Sequence, residues 1–570
     1  MSPLLTRIAP SMLRPFSRAA LAALAVAACA QAPATTTSSA PSPAAAASAI
    51  TTADLRTRLY AYADDSMRGR QAGTVDNLRA AAWLAEQARR LGLQPGGDNG
   101  TFFQDVPLIR RGLVAGASLS VDGTAYTLWT DFAPLDVGTA SPPIDGVGSV
   151  FVGRLADTAS MSPPAVGAGK VVIVRAAPGM PIFLAAQRAA SRYPQAVAVA
   201  FANQDAIVKQ VGLYFADGQV TLKNDEMPAR ATTPGLIIMG TRLTSALVSG
   251  DLETLAAGKA GKTVRGSLGF VETTAPARNV IAILPGTDPA LRGEYVALGA
   301  HNDHIGVRKG GIDHDSLRAF NQALHRLGAA DPFAQIDPAK RATIRVNVDS
   351  LHAVRPARID SVFNGADDDG SGSVGLIEIA EAWKNAQGAD RPRRSVIFVW
   401  HTAEELGLFG SEYFTDHPTV PRDSIVAQVN IDMIGRGSAL DVDGGGPRYI
   451  ELIGPRRLST EYAQLIEQVN SREPVPFTID YSLDADGHPE NIYCRSDHAN
   501  YARYGIPVAF FSTGQHSDYH QVSDEPQYID YDHYASVVRF VYDVARTVAN
   551  RDARLVVDKP KPDPKAQCRQ

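Results

Sequence analysis

Six short clusters of acids and histidines punctuate the second half of the sequence. They are His301-Asn302-Asp303-His304, Asp367-Asp368-Asp369-Gly370-Ser371-Gly372, Glu404-Glu405-Leu406-Gly407, Asp432-Met433, Ser496-Asp497-His498 and His516-Ser517-Asp518-Tyr519-His520. Imidazole and carboxylate without thiolate is a donor set suited to zinc or a related divalent ion in a catalytic site. Two metals sharing one bridging carboxylate need about five protein ligands, with positions left open for water and substrate. An adjacent pair such as Glu404-Glu405 can divide the labour, one side chain binding metal while the other stays free as general base. A metal lowers the pKa of bound water to about 7, so a neighbouring carboxylate can complete its deprotonation. Asp303, two residues after His301, suits a partner that fixes the imidazole's orientation. Singly, each cluster has a plainer use. The aspartate run could be a solvated turn, the glutamate pair surface charge, Asp432 a helix N-cap, and His498 and His520 structural histidines. Order, spacing and placement together favour one shared site.

Placement depends on the elements between the clusters. From Arg278 onward, apolar runs at Asn279 to Leu284, Tyr295 to Ala300, Val396 to Trp400, Ile425 to Ile431 and Val508 to Phe511 predict strands, and Ser373 to Trp383 predicts a helix. Strands alternating with helical stretches predict an α/β fold, a mostly parallel mixed sheet flanked by helices. Such sheets bind ligands at the carboxyl ends of their strands, where most of the clusters fall. Upstream, two helices are expected between Asp54 and Leu93, broken at Asp64 to Arg70. From about Val137 to Thr274 the texture becomes β-rich with Gly and Pro punctuation, an inserted module at 137–275 that interrupts a catalytic domain of 51–136 and 276–550.

Composition bounds the rest. The chain has 570 residues, 45% hydrophobic and 20% charged, and a net charge of -5, which is globular and offers no basic face for nucleic acid. Three cysteines, Cys29, Cys494 and Cys568, are too few for a disulfide scaffold. Arg7, Arg14 and Arg18 precede an apolar run from Ala19 to Ala28, which reads as a secretory signal. Val26-Ala27-Ala28-Cys29 resembles a bacterial lipobox, giving a signal at 1–29 with an acylated Cys29; an ordinary signal cut nearby is the alternative. An Ala/Pro/Ser/Thr tether is expected at 30–50 and a disordered tail at 551–570. Membrane contact is expected only through the lipid anchor, and the chemistry in the cell envelope, periplasm or exterior.

The clusters, in this order, resemble those of the M28 family of dizinc peptidases, from about Thr52 to Ala549 around the inserted module. Met67-Arg68-Gly69-Arg70 with Gly73-Thr74 also resembles secreted bacterial members. The resemblance implies a zinc exopeptidase-like fold with two zinc ions, other divalent metals being admissible, and peptide substrates. It assigns the metal ligands His301, Asp368, Glu405, Asp432 and His520, with Asp368 bridging. His301 and Asp432 would complete one site, Glu405 and His520 the other. It makes Glu404 the general base, Tyr519 the oxyanion donor and Asp303 the support of His301. His304, His401, His498 and His516 receive no ligand role. The module resembles a protease-associated domain. A long insertion, about 309–358, separates His301 from Asp368 and could form a lid or specificity wall.

The implied activity is that of an exported aminopeptidase. A carboxypeptidase of the same fold acting on acidic peptides is the first alternative, and a non-catalytic, lipid-anchored binding protein the second. A glutaminyl cyclase, working with one metal, fits the five-ligand set less well.

Overall fold

Ser395–His401 and Ile425–Ile431 are buried at every position. Such continuous apolar runs suit strands covered on both faces, as in parallel sheets packed between helices. The computed structural model places them so, and describes residues 47–570 apart from 114–116, 136–143, 177–179, 181, 224–233, 269 and 335. The signal, the lipobox and most of the tether lie outside the described residues. Among the described residues no helix is long and apolar enough to cross a membrane.

The chain opens with two helices, α1 (Thr52–Tyr62) and α2 (Val75–Arg90). Thr51 and Thr74 cap them, each side chain accepting a backbone N–H of the first turn. The main sheet contains β1 (Arg278–Leu284), β2 (Tyr295–His301), β3 (Ser395–His401), β4 (Ile425–Ile431), β5 (Tyr449–Ile453) and β6 (Val508–Ser512). Their order is β1-β3-β2-β4-β6-β5, within a nine-stranded sheet completed by short edge segments. The four strands β3, β2, β4 and β6 run parallel. β1 and β5 flank them antiparallel. Helices α3 (Gly372–Asn385) and α4 (Tyr531–Ala549) join α1 and α2 against one face, where Leu55, Leu84, Trp383, Phe398, Tyr534 and Val541 share one core. The opposite face has its own core, with Ile397, Val399, Tyr501 and Phe510.

Three expectations are revised. The inserted module starts before 137: Ser118–Val121, Thr124–Tyr126 and Phe132–Leu135 already belong to its eight-stranded sheet. The reason lies in the turn at Asp122-Gly123, both at positive φ, which folds a hairpin whose first strand pairs with Lys259–Ser267. The module is also not purely β-rich, for helices at Ile182–Arg192, Asp205–Phe215 and Thr241–Leu247 accompany its sheet. Nor is the stretch 551–570 disordered. Leu555 is buried, Cys568 is disulfide-bonded to Cys494, and the Gln570 side chain donates to the Ala485 carbonyl at 3.0 Å. Its Lys/Pro/Asp composition misleads because a covalent link and a few hydrogen bonds replace the missing apolar burial.

The disulfide closes a 74-residue separation. Reduction is expected to free the tail to limited proteolysis and to lower stability by about 2–4 kcal/mol, read as a drop in Tm. A protease digestion pattern indifferent to reductant would contradict this pinning.

Candidate metal centre

The Asp367–Asp369 loop shows how three consecutive aspartates acquire three different surroundings. Asp367 Oδ1 accepts the Gly435 N–H at 2.6 Å, and its Oδ2 lies 3.2 Å from His516 Nε2. Asp369 Oδ2 accepts the His301 N–H at 2.9 Å, while its Oδ1 accepts the Gly372 N–H at 2.8 Å. Asp368 alone turns both oxygens to imidazoles: Oδ1 lies 3.0 Å from His301 Nε2, and Oδ2 3.0 Å from His520 Nε2. Asp369 is close to His301 and Asp432, but its backbone bonds mark it as a strut rather than a free ligand. Gly372 is required here, since a Cβ would meet Asp369 Oδ1 at 2.3 Å and the Ile431 carbonyl at 2.4 Å.

The remaining groups arrive from strand ends. His301 closes β2, and Asp432 follows β4 with its Oδ1 3.6 Å from His301 Nε2. Asp432 Oδ2 accepts the Ser496 hydroxyl at 2.8 Å. Glu404 and Glu405 follow β3. Glu405 Oε2 lies 2.9 Å from His520 Nε2. Glu404 and Tyr519 line the adjoining cleft together with Asp368, Asp432 and His520. The other four sequence-derived ligand candidates therefore gather around Asp368: His301 and His520 face its carboxylate, Glu405 lies beside His520 and Asp432 beside His301, and Glu404 and Tyr519 line the same cleft.

Two details differ from the sequence reading. His301 Nδ1 meets the backbone carbonyl of Asp303 at 3.1 Å, with the carboxylate at 3.7 Å. The Asp303 carboxylate instead accepts the Glu404 N–H at 3.1 Å, so it ties the two strand-end loops together. His304, given no ligand role, has its Nδ1 2.6 Å from Glu405 Oε1 and 3.8 Å from Asp368 Oδ2. Its three-residue spacing from His301 was the available signal. Among the other histidines, His401 pairs with Asp497 at 3.2 Å and His516 with Asp367. His498 stacks on Phe510, and burial lowers its imidazole to about 3, as befits a wall residue.

The leading segment fastens the loops from outside the sheet. Arg70 is fully buried and donates to the carbonyls of Asn364 at 2.6 Å and Gly365 at 2.8 Å. Gly69 before it stands at φ +65, where a Cβ would strike the Gly306 carbonyl at 2.2 Å. Tyr62 donates to the Asn302 carbonyl at 3.0 Å, and Asn77 to the Asn302 side chain at 2.8 Å. This accounts for Met67-Arg68-Gly69-Arg70 without any direct part in chemistry.

Electrostatically the centre demands positive charge. Burial pushes the Asp368 carboxyl up, but hydrogen bonding to His301 and His520 holds it well below the usual carboxylate range. Burial and Asp368 likewise push Glu405 up, and the imidazoles of His520 and His304 outweigh them, bringing it to about 2. Burial opposes a charge on His520, yet Glu405 and Asp368 raise it to about 11. Glu404 goes the other way: burial, reinforced by Asp432 and Glu405, raises its carboxyl well above the ordinary value. Several atoms here are buried without a directed hydrogen bond, namely His301 Nε2, both ring nitrogens of His304, Asp368 Oδ2 and Glu405 Oε1. Buried polar atoms seldom stay orphaned, and carboxylates facing imidazoles fit a divalent cation in place of those protons. The donor atoms that lie together are those of His304, Asp368, Glu405 and His520 in one group, and those of His301, Asp369 and Asp432 in another.

The model of peptidase family M28 matches residues 279–545, the stretch that carries every one of these ligand candidates. This segment belongs to peptidase family M28. Among curated relatives, leucine aminopeptidase 1 of Paracoccidioides brasiliensis is 30% identical over 201 residues, covering 34% of this chain and 48% of its own. Leucine aminopeptidase 1 of Leptosphaeria maculans is 29% identical over 255 residues, 42% of this chain and 62% of its own. The chain thus spans about half the length of the curated relatives it matches. Of solved structures, an aminopeptidase from Aneurinibacillus sp. strain AM-1 is 17% identical, covering 90% of this chain and 98% of its own with a TM-score of 0.48. A zinc aminopeptidase from Bacillus subtilis is 15% identical, covering 87% and 94% with a TM-score of 0.46.

The loop bearing Tyr519 and His520 is anchored through Asp518. Arg318 Nε and Arg436 Nη1 both donate to Asp518 Oδ2 at 3.2 Å, and Arg436 Nε donates to Asp441 at 3.1 Å. Burial would raise the Asp441 carboxyl, but Arg436 lowers it to about 2 from 3.8. A carboxyl lowered on folding stabilises above its unfolded value and loses that contribution as pH falls through the folded one. Asp441→Asn is therefore expected to cost roughly 2 kcal/mol at neutral pH. In urea unfolding the gap from the unsubstituted chain should narrow as pH falls from 3.8 to about 2. A gap independent of pH would contradict this pairing.

Proposed function

We propose that this chain is an exported, metal-dependent aminopeptidase that removes N-terminal residues from peptides, with two zinc ions in its site. The observation that carries the reading is the Asp368 carboxylate, with one oxygen facing His301 and the other His520, both at 3.0 Å. The matched family and the names of the curated relatives support the same reaction class. Bound by His301, Asp432, Glu405 and His520 around Asp368, the metals would activate water as nucleophile and polarise the scissile carbonyl. The protein's own part follows from its side chains. Glu404, with a carboxyl raised by burial and neighbouring acids, accepts the proton from the attacking water and delivers it to the leaving amine. The Tyr519 hydroxyl, kept protonated by burial, donates to the oxyanion that develops on the substrate. Asp303 and Asp369 hold the loops through backbone N–H groups and do not touch substrate. An acylated Cys29 would tether the enzyme to the cell envelope, and the Cys494–Cys568 disulfide supports an oxidising compartment.

Hydrolysis of leucyl chromogenic amide is expected to require a free amine, to vanish on chelation and to return with zinc, while the N-acetylated amide stays intact. Cleavage confined to C-terminal acidic peptides would replace this reading by the carboxypeptidase. A chain that holds no metal would favour the binding protein. Glu404→Gln should bind zinc as the unsubstituted enzyme does and lose ~10²–10⁴-fold in kcat; a loss of less than tenfold would remove Glu404 from the proton transfer.

A further inference from the structure

The cleft beside the metal centre extends past the reacting groups to Met433, Leu483, Ile492, Phe510 and Glu451. Four of these five are apolar; the fifth is a carboxylate. Glu451 lies on β5 opposite Ser512 of β6, and is only 6% exposed. Its Oε1 accepts the Tyr449 hydroxyl at 2.9 Å, and Oε2 has no hydrogen-bond partner among the described residues. Among the described residues no cation compensates it: burial pushes its carboxyl up to about 7, nearby Asp480 adds to this, and only the Tyr449 hydroxyl opposes. A buried carboxylate without a cation is costly, and Glu451 has no part in metal binding or proton transfer. Arg495 lines the same cleft but is already engaged, donating to Glu490 at 3.1 Å and to the Tyr519 hydroxyl at 3.4 Å.

The sheet sets the reach. Asp432 follows β4, and Glu451 stands two strands away across β6, roughly 10 Å at the usual interstrand spacing. A substrate's α-ammonium is one carbon from the scissile carbonyl and must stay among Glu404, Asp432 and Glu405. Only a long side chain can run from that point along Met433, Ile492 and Phe510 to Glu451. Lysine and arginine present an apolar stem with a charged end, which matches such a lining. Opposite, Gly514 leaves the carboxylate accessible, because a Cβ there would lie 2.7 Å from Glu451 Oε1.

We propose that Glu451 is a specificity residue that selects peptides whose first side chain is cationic, lysine or arginine, over uncharged side chains of equal length. This rests on the aminopeptidase reading. The test uses the zinc-loaded full chain and compares kcat/KM for lysyl, arginyl, norleucyl and leucyl p-nitroanilides, with and without Glu451→Gln. The unsubstituted enzyme should favour lysyl over norleucyl at least tenfold, and Glu451→Gln should cut that ratio at least tenfold. A norleucyl rate equal to or above the lysyl rate, or a ratio untouched by the substitution, overturns the assignment. Should Glu451→Gln fail to fold, inhibition of leucyl hydrolysis in the unsubstituted enzyme decides: L-lysine should inhibit at least fivefold more tightly than L-norleucine, and equal constants overturn it. Leucyl hydrolysis without lysyl preference sinks this assignment alone, whereas no hydrolysis of any free-amine substrate sinks the aminopeptidase reading and this assignment with it.

Discussion

Gathering Glu404, Glu405 and Asp432 from the ends of neighbouring strands around Asp368, which comes from the loop before α3, removes negative charge from water, and the surrounding structure answers that cost. Carboxylates this close and this buried repel one another unless cations or N–H donors intervene. The first answer is the imidazoles of His301 and His520 against Asp368. The second is a shell of backbone N–H groups, with Asp369 taking those of His301 and Gly372, and Asp524 those of Asp367 and Asp368. The third is Arg70, whose guanidinium brings positive charge to the same loop and donates to its carbonyls at Asn364 and Gly365. Four parallel strands bring the loops to one edge, and these three layers keep them there.

Much of this was legible in the sequence because the strands are buried on both faces and so spell continuous apolar runs. Most of the polar clusters begin where such a run ends, and that placement pointed to one shared centre. Which aspartate of 367–369 faces the histidines depended on family resemblance, since the distinction arises from tertiary N–H donors that no local pattern encodes. His304 escaped for the same reason: its proximity to Glu405 comes from how the chain turns after β2. Module boundaries were misread at 118–135 because strands of only three or four residues are too short to leave a clear periodic signal. The tail was misjudged because a cross-link is invisible to composition.

The insertion beyond His301 forms a strand pair, Val307–Asp313 with Ile359–Val362, that brackets helix His314–His325. Through Arg318 it grips Asp518, and the ring of Phe333 stands edge-on to both Tyr519 and His520. Phe333 is 61% exposed, so an apolar surface borders the entrance while Asp518 supplies the anchor behind it. This segment borders the approach to the site and supplies none of the five sequence-derived ligand candidates, although its His314 groups with Asp360 and Glu525 as a separate set of possible metal donors.

The module's entry and exit strands, Leu108–Leu113 and Phe270–Ala275, pair antiparallel along their whole length, Leu108 opposite Ala275 and Leu113 opposite Phe270. The polypeptide therefore leaves the α/β domain and re-enters it at one point. During synthesis α1 and α2 emerge long before the strands they must cover, and they wait with their apolar faces unsatisfied. A module that folds first and zips its own ends together turns that long intervening chain into a short effective loop, and closure entropy rises only slowly with loop length. The insertion thus adds little to the entropic cost of closing the chain between α2 and β1.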